Sequence, residues 1–225
     1  MRSTNAEVFN HDSDAAGYDQ EVRNEADPIR NAYRDVLVWV IEEARIGSTA
    51  RVLELGSGTG NLSQLISGCS ELIAVDVSEK MESIAKPKLA HLANRQFIQA
   101  DILEVFAHPL GYFDAVISTY TIHHLVEEEK RLLFENIYDC LCPGGRAVFG
   151  DLMVANEAQK LAKIRGYLEV GDQTTARAME QEFFWLVDVA VTELEELGFQ
   201  VRTKRFSDLS YGVVAAKPAD SSGLI

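Results

Sequence analysis

The feature that most constrains the fold is a regular alternation of short apolar runs with helical stretches through the middle of the chain. Runs with the composition of β-strands occur at 50–55, 71–76, 95–100, 112–118 and 145–151, and helical patterns separate them. Strands that are joined by crossover helices lie parallel in one sheet. We therefore predict a doubly wound α/β fold whose mostly parallel sheet is covered by helices on both faces.

The end of the chain departs from this alternation. Residues 199–206 and 209–216 are predicted strands, and only Ser207 and Asp208 separate them. A connection of two residues can join only antiparallel neighbours. The sequence therefore predicts an antiparallel C-terminal hairpin at the edge of the sheet.

Helical spacing is clearest on two sides of this alternation. Asp27 and Pro28 have the pattern of an N-cap and a first-turn proline, and apolar spacing then continues to Gly47. A long stretch from 156 to 197 is also predicted to be helical, with Phe184, Val187, Val191 and Leu194 on one face. Pro87 is expected to kink or end the helix that starts near Ser78.

Length and composition favour one soluble domain. A chain of 225 residues with 47% hydrophobic content can fill one core, so we predict a single domain over 1–225. No apolar run approaches the roughly 20 residues that span a bilayer, and the polar residues 1–14 lack a signal-peptide core. We therefore expect a cytoplasmic protein with no membrane partner.

Charge and cysteine content exclude some classes of partner. The net charge of -14 argues against a nucleic-acid partner, because binding to phosphates needs clustered Lys and Arg. Cys69, Cys140 and Cys142 lack the Cys-x-x-Cys spacing of zinc and redox sites. No cluster of ligands predicts a metal site.

A glycine-rich turn follows the first predicted strand, in the order Glu54-Leu55-Gly56-Ser57-Gly58-Thr59-Gly60. Glycine has no Cβ, so it adopts positive φ easily and lets main-chain amides approach a ligand. We expect the turn to open a helix and to bind a nucleotide-like molecule. By itself the pattern is equally compatible with a simple tight turn.

Two acidic residues at later strand ends support a ligand site. Asp76 ends the second strand and is placed to accept hydrogen bonds from ribose hydroxyls, although it could also serve as the N-terminal charge of the next helix. Asp101 ends the third strand, where its carboxylate can accept from an adenine amino group while Ile102 contacts the ring. Parallel sheets bind ligands at the carboxyl ends of their strands, so these groups should meet in one crevice.

The order of these motifs resembles that of class I S-adenosylmethionine-dependent methyltransferases over residues 30–217. The resemblance implies a Rossmann-like fold with a seven-stranded sheet whose last strand is antiparallel. It also implies that S-adenosyl-L-methionine is the cofactor and S-adenosyl-L-homocysteine the product. By position, the implied cofactor-binding residues are Glu54, Gly56, Ser57, Gly58, Gly60, Asp76, Val77, Met81, Asp101, Ile102 and Thr119.

Three shorter segments resemble a small bacterial group of uncharacterised methyltransferases, some of which are linked to recycling of methionine to cysteine. These segments are Ala16-Gly17-Tyr18-Asp19, Ile122-His123-His124-Leu125 and Gly150-Asp151-Leu152-Met153. The sequence lacks the Asn/Asp-Pro-Pro-Tyr tetrad of many methylases that act on bases and glutamine. We therefore expect a small-molecule acceptor.

The resemblance implies an in-line displacement in which the protein aligns the reactants, and a base is needed only for a protonated acceptor. We take His123 and Tyr18 as catalytic candidates. Adjacent helical residues point about 100° apart, so at most one of His123 and His124 can face the site, and both could be structural.

Two segments are expected to complete the site. In related enzymes the N-terminal segment forms a lid over the cofactor, so residues 1–27 are either a lid that carries Tyr18 or a flexible tail. The helical region 152–197 lies where this superfamily usually builds acceptor specificity. A monomer and a homodimer are both compatible with the sequence.

Three other functions stay open at this stage. A dinucleotide-dependent oxidoreductase would share the glycine turn and the ribose acid, although its glycines usually follow Gly-x-Gly-x-x-Gly spacing. A binding protein without catalysis would keep the cofactor site. A protein methyltransferase would differ only in its acceptor.

Overall fold

The computed structural model of the protein describes residues 1–8, 12–181 and 184–219. The helices are α1 (Ala15–Glu21), α2 (Tyr33–Ala44), α3 (Glu79–Lys88), α4 (Glu127–Cys140), α5 (Glu157–Glu169), α6 (Gln173–Gln181) and α7 (Val187–Glu196). The strands are β1 (Arg51–Leu55), β2 (Glu71–Asp76), β3 (Arg95–Gln99), β4 (Phe113–Thr119), β5 (Leu141–Val154), β6 (Trp185–Leu186), β7 (Gln200–Arg205) and β8 (Ser210–Ala216). Short 3-10 turns occur at Ser63–Leu65, Glu104–Ala107 and Ile122–His124.

The strands form one sheet in the order β3-β2-β1-β4-β5-β8-β7, and the two-residue β6 pairs with the end of β5. Strands β1 to β5 are parallel, and β8 is antiparallel to both β5 and β7. The predicted Rossmann-like α/β fold with an antiparallel C-terminal hairpin is therefore confirmed. Within this hairpin the reversed last strand, β8, pairs with β5 inside the sheet, and β7 forms the edge.

Alternation along the strands divides the core between the two faces of the sheet. In β1, Val52 joins the cluster that packs under α2, whereas Leu53 joins the cluster under α4 and α7. Gly150 of β5 pairs with Gly212 of β8, and a Cβ at either position would overlap a side chain of α2. Helix α2 therefore lies directly on the sheet.

Helix α2 begins later than the sequence predicts. Asp27 does not cap it; instead its Oδ1 accepts from the Ile29 amide at 2.9 Å within a preceding turn. Ala32 has a left-handed φ of 65°, which interrupts any helix from Pro28, and α2 starts at Tyr33. Helix α3 ends at Lys88, directly after Pro87, as predicted.

The glycine turn does not open an α-helix, contrary to our expectation. Gly56, Gly58 and Gly60 all have positive φ, so a right-handed helix cannot begin before residue 61. Residues 61–70 form the whole connection from the glycine turn to β2, and within it the side chains of Leu62 and Ile66 are buried in the core. This segment forms only the 3-10 turn Ser63–Leu65.

The predicted helical stretch 156–197 is not one helix, since its described residues form α5, α6 and α7 with breaks between them. Gly171 ends the first with a φ of 82°, and Asp172 caps the next by accepting from the Thr175 amide at 3.0 Å. Phe184 lies outside the helices and is buried in the α2-side core. Among the described helices, none is long and apolar enough to cross a membrane.

Candidate active site

A cavity lies at the carboxyl ends of β1, β2, β3 and β4, where the strand order of the sheet reverses. Its walls are formed by Ser3, Asn5, Ala6, Tyr18, Gly56, Gly58, Asp76, Val77, Met81, Asp101, Ile102, Thr119, Tyr120, Thr121, His124 and Leu125. Most of the predicted site residues are therefore brought together in one place.

The glycine turn is held against the end of β2 by its own backbone. The amides of Gly56 and Ser57 both donate to the Val75 carbonyl at 2.9 Å. Gly56 has a φ of 71°, and a Cβ there would overlap the side chain of Thr121. A larger residue at this position is excluded both by conformation and by space.

Asp76 is fixed by two backbone amides. Its Oδ2 accepts from Gly58 at 2.7 Å, and its Oδ1 accepts from Ser78 at 2.9 Å. The N-cap of α3 is Ser78, whose hydroxyl accepts from the Met81 amide at 3.0 Å. Asp76 is therefore not the helix cap, and its carboxylate lies on the cavity wall, where it can accept hydrogen bonds from ligand hydroxyls.

Asp101 lies across the cavity from the glycine turn and is almost completely buried. Its Oδ1 accepts from the Leu103 amide at 2.9 Å, and its Oδ2 accepts from the Ser3 hydroxyl at 2.5 Å. Ile102 and Met81 line the same cavity with apolar groups. This combination of a carboxylate and apolar side chains suits a flat heterocycle with an exocyclic amino group.

Glu54 and Gly60 were predicted to contact the cofactor, but neither lines the described cavity wall. Glu54 is buried behind the glycine turn, where its carboxylate accepts from the Ser63 hydroxyl. Burial raises the pKa of Glu54 to about 8, against the effect of the Ser63 hydrogen bond, so this group is a poor anion at neutral pH. A Cβ on Gly60 would lie 3.1 Å from the Cβ of Ala85, so this glycine allows the loop to contact α3.

Ser57 lies beside a smaller space that adjoins the main cavity. Tyr18, Tyr33 and Thr119 contribute to the same space. Tyr33 stacks on Tyr120 with ring centroids 5.0 Å apart, and its hydroxyl accepts from the Asn61 amide at 3.3 Å. The rings of Tyr18 and Tyr33 therefore line this smaller space together with the glycine turn.

The two histidine rings lie side by side, with centroids 3.9 Å apart, but only His124 contributes to the cavity wall. His123 is buried, and its Nδ1 lies 2.5 Å from Asp151 Oδ1. His124 lines the cavity instead. His123, our candidate for the catalytic histidine, is therefore engaged by Asp151 and does not line the cavity, so the cavity wall gives no support for that choice.

The N-terminal segment covers one end of the cavity. Tyr18 of α1 and residues Ser3, Asn5 and Ala6 contribute to its walls, and only Tyr18 among them was predicted. The Arg30 guanidinium lies 5.7 Å from the centroid of the Tyr18 ring. Burial raises the pKa of Tyr18, with Arg30 opposing this effect, so the phenol stays protonated at neutral pH and can donate a hydrogen bond.

Region 152–197 contributes no residue to the described walls of this cavity, and the expectation that it contributes to the acceptor pocket stays a prediction. Of its buried side chains, Ile164, Ala176, Met179 and Phe184 join the core on the α2 face of the sheet, whereas Trp185, Ala190 and Leu194 join the core on the other face. Within residues 1–8, 12–181 and 184–219, His, Cys, Asp and Glu side chains form no group that could hold a metal ion.

The amino-acid sequence is related to that of known proteins along most of its length. It is 31% identical over 188 residues to an uncharacterized methyltransferase of Oceanobacillus iheyensis, covering 83% of this chain and 84% of the relative. The chain belongs to the methyltransferase family. A family model described as a methyltransferase domain also matches residues 52–145 of this methyltransferase, which include the glycine turn, Asp76 and Asp101.

Solved structures share the fold of this methyltransferase at lower sequence identity. Magnesium protoporphyrin IX methyltransferase of Synechocystis, crystallised with S-adenosyl-L-homocysteine, superimposes with a TM-score of 0.67 at 20% identity and covers 94% of this chain and 97% of its own. The N-methyltransferase NodS of Bradyrhizobium japonicum, in complex with the same molecule, gives a TM-score of 0.64 at 17% identity, covering 93% and 99%. The architecture is therefore that of methyltransferases.

Proposed function

We propose that this methyltransferase binds S-adenosyl-L-methionine in the described cavity and transfers its methyl group to a small-molecule acceptor. The observation that carries the proposal is the meeting of the glycine turn, Asp76 and Asp101 at the ends of three adjacent strands of the sheet. The Synechocystis and Bradyrhizobium structures, which share the fold, contain the demethylated product of this cofactor.

In this proposal each wall binds a different part of the cofactor. Asp76 accepts from the ribose hydroxyls, with Val77 beside it. Asp101 accepts from the adenine amino group, and the ring lies between the apolar side chains of Ile102 and Met81. The glycine turn and Thr119 approach the methionine part through their main chain, because no Cβ on Gly56 or Gly58 intervenes.

A sulfonium cofactor supplies an electrophilic methyl group, so the protein contributes alignment and exclusion of water. Such alignment accounts for roughly 7–11 kcal/mol of a barrier in favourable cases. Tyr18 and the N-terminal segment restrict access of water from the outer side of the cavity. If the acceptor arrives protonated, His124 is the candidate base, since it lies on the wall and His123 is engaged by Asp151.

The cavity supports a small acceptor over a macromolecule. Its described walls carry no Lys or Arg, and the chain has a net charge of -14, so nucleic acid is disfavoured. The Synechocystis protein is named for a porphyrin substrate, which is a small molecule. A protein acceptor and binding without catalysis are the competing outcomes of the test below.

Three finer expectations stay predictions within this proposal. The link to recycling of methionine to cysteine depends only on the resemblance to the small bacterial group. The cytoplasmic location depends on composition. A monomer and a homodimer are both compatible with the fold, and sedimentation at increasing concentration distinguishes them.

The first experiment is titration calorimetry of the full chain with S-adenosyl-L-homocysteine, with a nicotinamide dinucleotide as the comparison ligand. We expect heat with the first ligand and none with the second, and the reverse result would contradict the proposal. The second experiment is incubation with methyl-labelled cofactor and fractionated cell extract. Label in small molecules supports the proposal, whereas label in protein or no transfer at all would favour one of the competing functions.

A further inference from the structure

Helix α1, which brings Tyr18 to the cavity, contacts the glycine-rich segment and helix α3 through the next residue, Asp19. The Asp19 Oδ1 atom accepts from the Thr59 hydroxyl at 2.6 Å and from the Asn61 side-chain amide at 3.0 Å. Its Oδ2 atom accepts from the Lys88 ammonium at 2.5 Å. Both oxygens of one carboxylate are therefore used in contacts across the molecule.

These partners belong to separate segments of the site. Thr59 and Asn61 lie in the glycine-rich segment that follows β1, and Lys88 is the last residue of α3. The Lys88 ammonium also donates to Asn61 Oδ1 at 2.9 Å, which closes the group into a network. Helix α3 contributes Met81 to the cavity at its other end. One side chain of α1 thus contacts both segments that flank the proposed cofactor.

The helix that carries Asp19 has little stability of its own. It contains seven residues, and its N-cap, Asp14, makes no capping hydrogen bond through its side chain. Helices of this length are not stable in isolation, so tertiary contacts must determine the position of α1. Partial burial by itself would raise the pKa of Asp19, but the hydrogen bonds from Lys88 and Thr59 outweigh it, so the pKa lies below its usual value. The carboxylate is therefore charged at neutral pH.

We propose that Asp19 is a positioning residue for the methyl-transfer site, which holds α1 and the Tyr18 ring over the glycine turn. This inference depends on the proposed function, because its readout is affinity for the cofactor product. Asp19 itself lies outside the described walls of the cavity, so it acts on the ligand through the Tyr18 ring that it positions.

The test compares Asp19→Ala with Asp14→Ala, an exposed acid at the start of the same helix. Calorimetry measures the Kd of S-adenosyl-L-homocysteine for each, and thermal unfolding without ligand measures stability. We expect Asp19→Ala to raise the Kd by at least about tenfold, which is the factor that corresponds to the loss of one hydrogen bond to a charged group. We expect Asp14→Ala to leave the Kd unchanged. Thr59→Val removes a single hydrogen bond at similar volume, and we expect a smaller increase from it.

A second comparison separates positioning from general destabilisation. In a Tyr18→Ala background, Asp19→Ala should have little further effect on the Kd, since the residue it positions is already absent. The inference would be overturned if Asp19→Ala raised the Kd by the full tenfold in the Tyr18→Ala background, or if the single Asp19→Ala variant had an unchanged Kd. Absence of binding to the wild-type chain would instead refute the proposed cofactor, so the two failures are distinguishable.

Discussion

At the scale of single residues, Asp76 carries the most specific part of the proposed cofactor contact. Its two oxygens are oriented by the amides of Gly58 and Ser78, so little freedom is lost when a ligand binds. We predict that Asp76→Ala raises the Kd of S-adenosyl-L-homocysteine about 100-fold, because two hydrogen bonds from ribose hydroxyls to a charged group are lost. Calorimetry measures the change, and Glu79→Ala, which removes an exposed acid at the first position of α3, is the matched control. Equal affinity of the two variants would contradict the assignment.

The paired histidines lead to a prediction on stability. The buried carboxylate of Asp151 contacts the His123 ring and also accepts from the amides of Ile122 and Leu152 at 2.8 and 2.7 Å. We predict that His123→Ala lowers the free energy of unfolding by about 1–3 kcal/mol, since a buried polar partner is lost. His124→Ala, on the cavity wall, should cost much less. Denaturant unfolding compares the two, and a larger loss for His124→Ala would reverse their structural roles.

The sequence predicts those wall residues whose position depends on local structure, and it misses those that reach the cavity through contacts distant along the chain. Gly56, Asp76 and Asp101 lie at strand ends, where local pattern and sheet polarity determine which way a residue faces. Ser3 and Asp19 reach the site only because a distant segment docks there, with partners 98 and 40 positions along the chain. No local signal marks such contacts.

At the scale of elements, the N-terminal segment contacts the proposed adenine end of the cavity through specific hydrogen bonds. Thr4 donates from its amide and its hydroxyl to the buried Glu129 carboxylate of α4, both at 2.7 Å, while Ser3 donates to Asp101. The Ser3 hydroxyl therefore donates to Asp101 Oδ2, and in the proposed complex the adenine amino group would donate to the same carboxylate. Cofactor binding must share or replace this contact.

We therefore predict that Ser3→Ala lowers the Kd of S-adenosyl-L-homocysteine by up to about tenfold, because one hydrogen bond to a charged group no longer competes with the ligand. The control is Arg2→Ala, whose side chain forms an exposed ion pair with Glu7. Calorimetry at one salt concentration suffices for both. A weaker affinity in Ser3→Ala would mean that the hydroxyl assists binding and does not compete with it.

Strands were easier to predict than helices in this chain, and the reason is physical. The central parallel strands β1, β2 and β4 are buried on both faces, so a short apolar run marks each of them in the sequence. Helix ends depend on single backbone conformations, such as Ala32 at a φ of 65° and Gly171 at 82°. The glycine and the capping Asp172 gave a signal for the break between α5 and α6, whereas alanine at position 32 gave none.

At the scale of the whole molecule, the buried Glu54 beneath the glycine turn couples stability to pH. Burial raises its pKa from 4.5 to about 8 in the folded state, despite the Ser63 hydrogen bond, and the Asp76 carboxylate acts in the same direction as burial. The folded state thus binds this proton more tightly than the unfolded chain does. Its contribution to stability is complete below pH 4.5 and is lost as the pH rises through about 8, at up to about 1.4 kcal/mol per pH unit.

The prediction is that Glu54→Gln, which resembles the protonated acid, removes this decline. Relative to the wild type, the melting temperature of the variant should rise progressively from pH 5 to pH 8, because only the wild type must then either keep a proton or bury a charge. Glu128→Gln removes an exposed acid of α4 and controls for the change in net charge. Parallel profiles of melting temperature against pH for the wild type and Glu54→Gln would contradict the prediction. They would mean that water reaches the Glu54 carboxyl behind the glycine turn in the folded state.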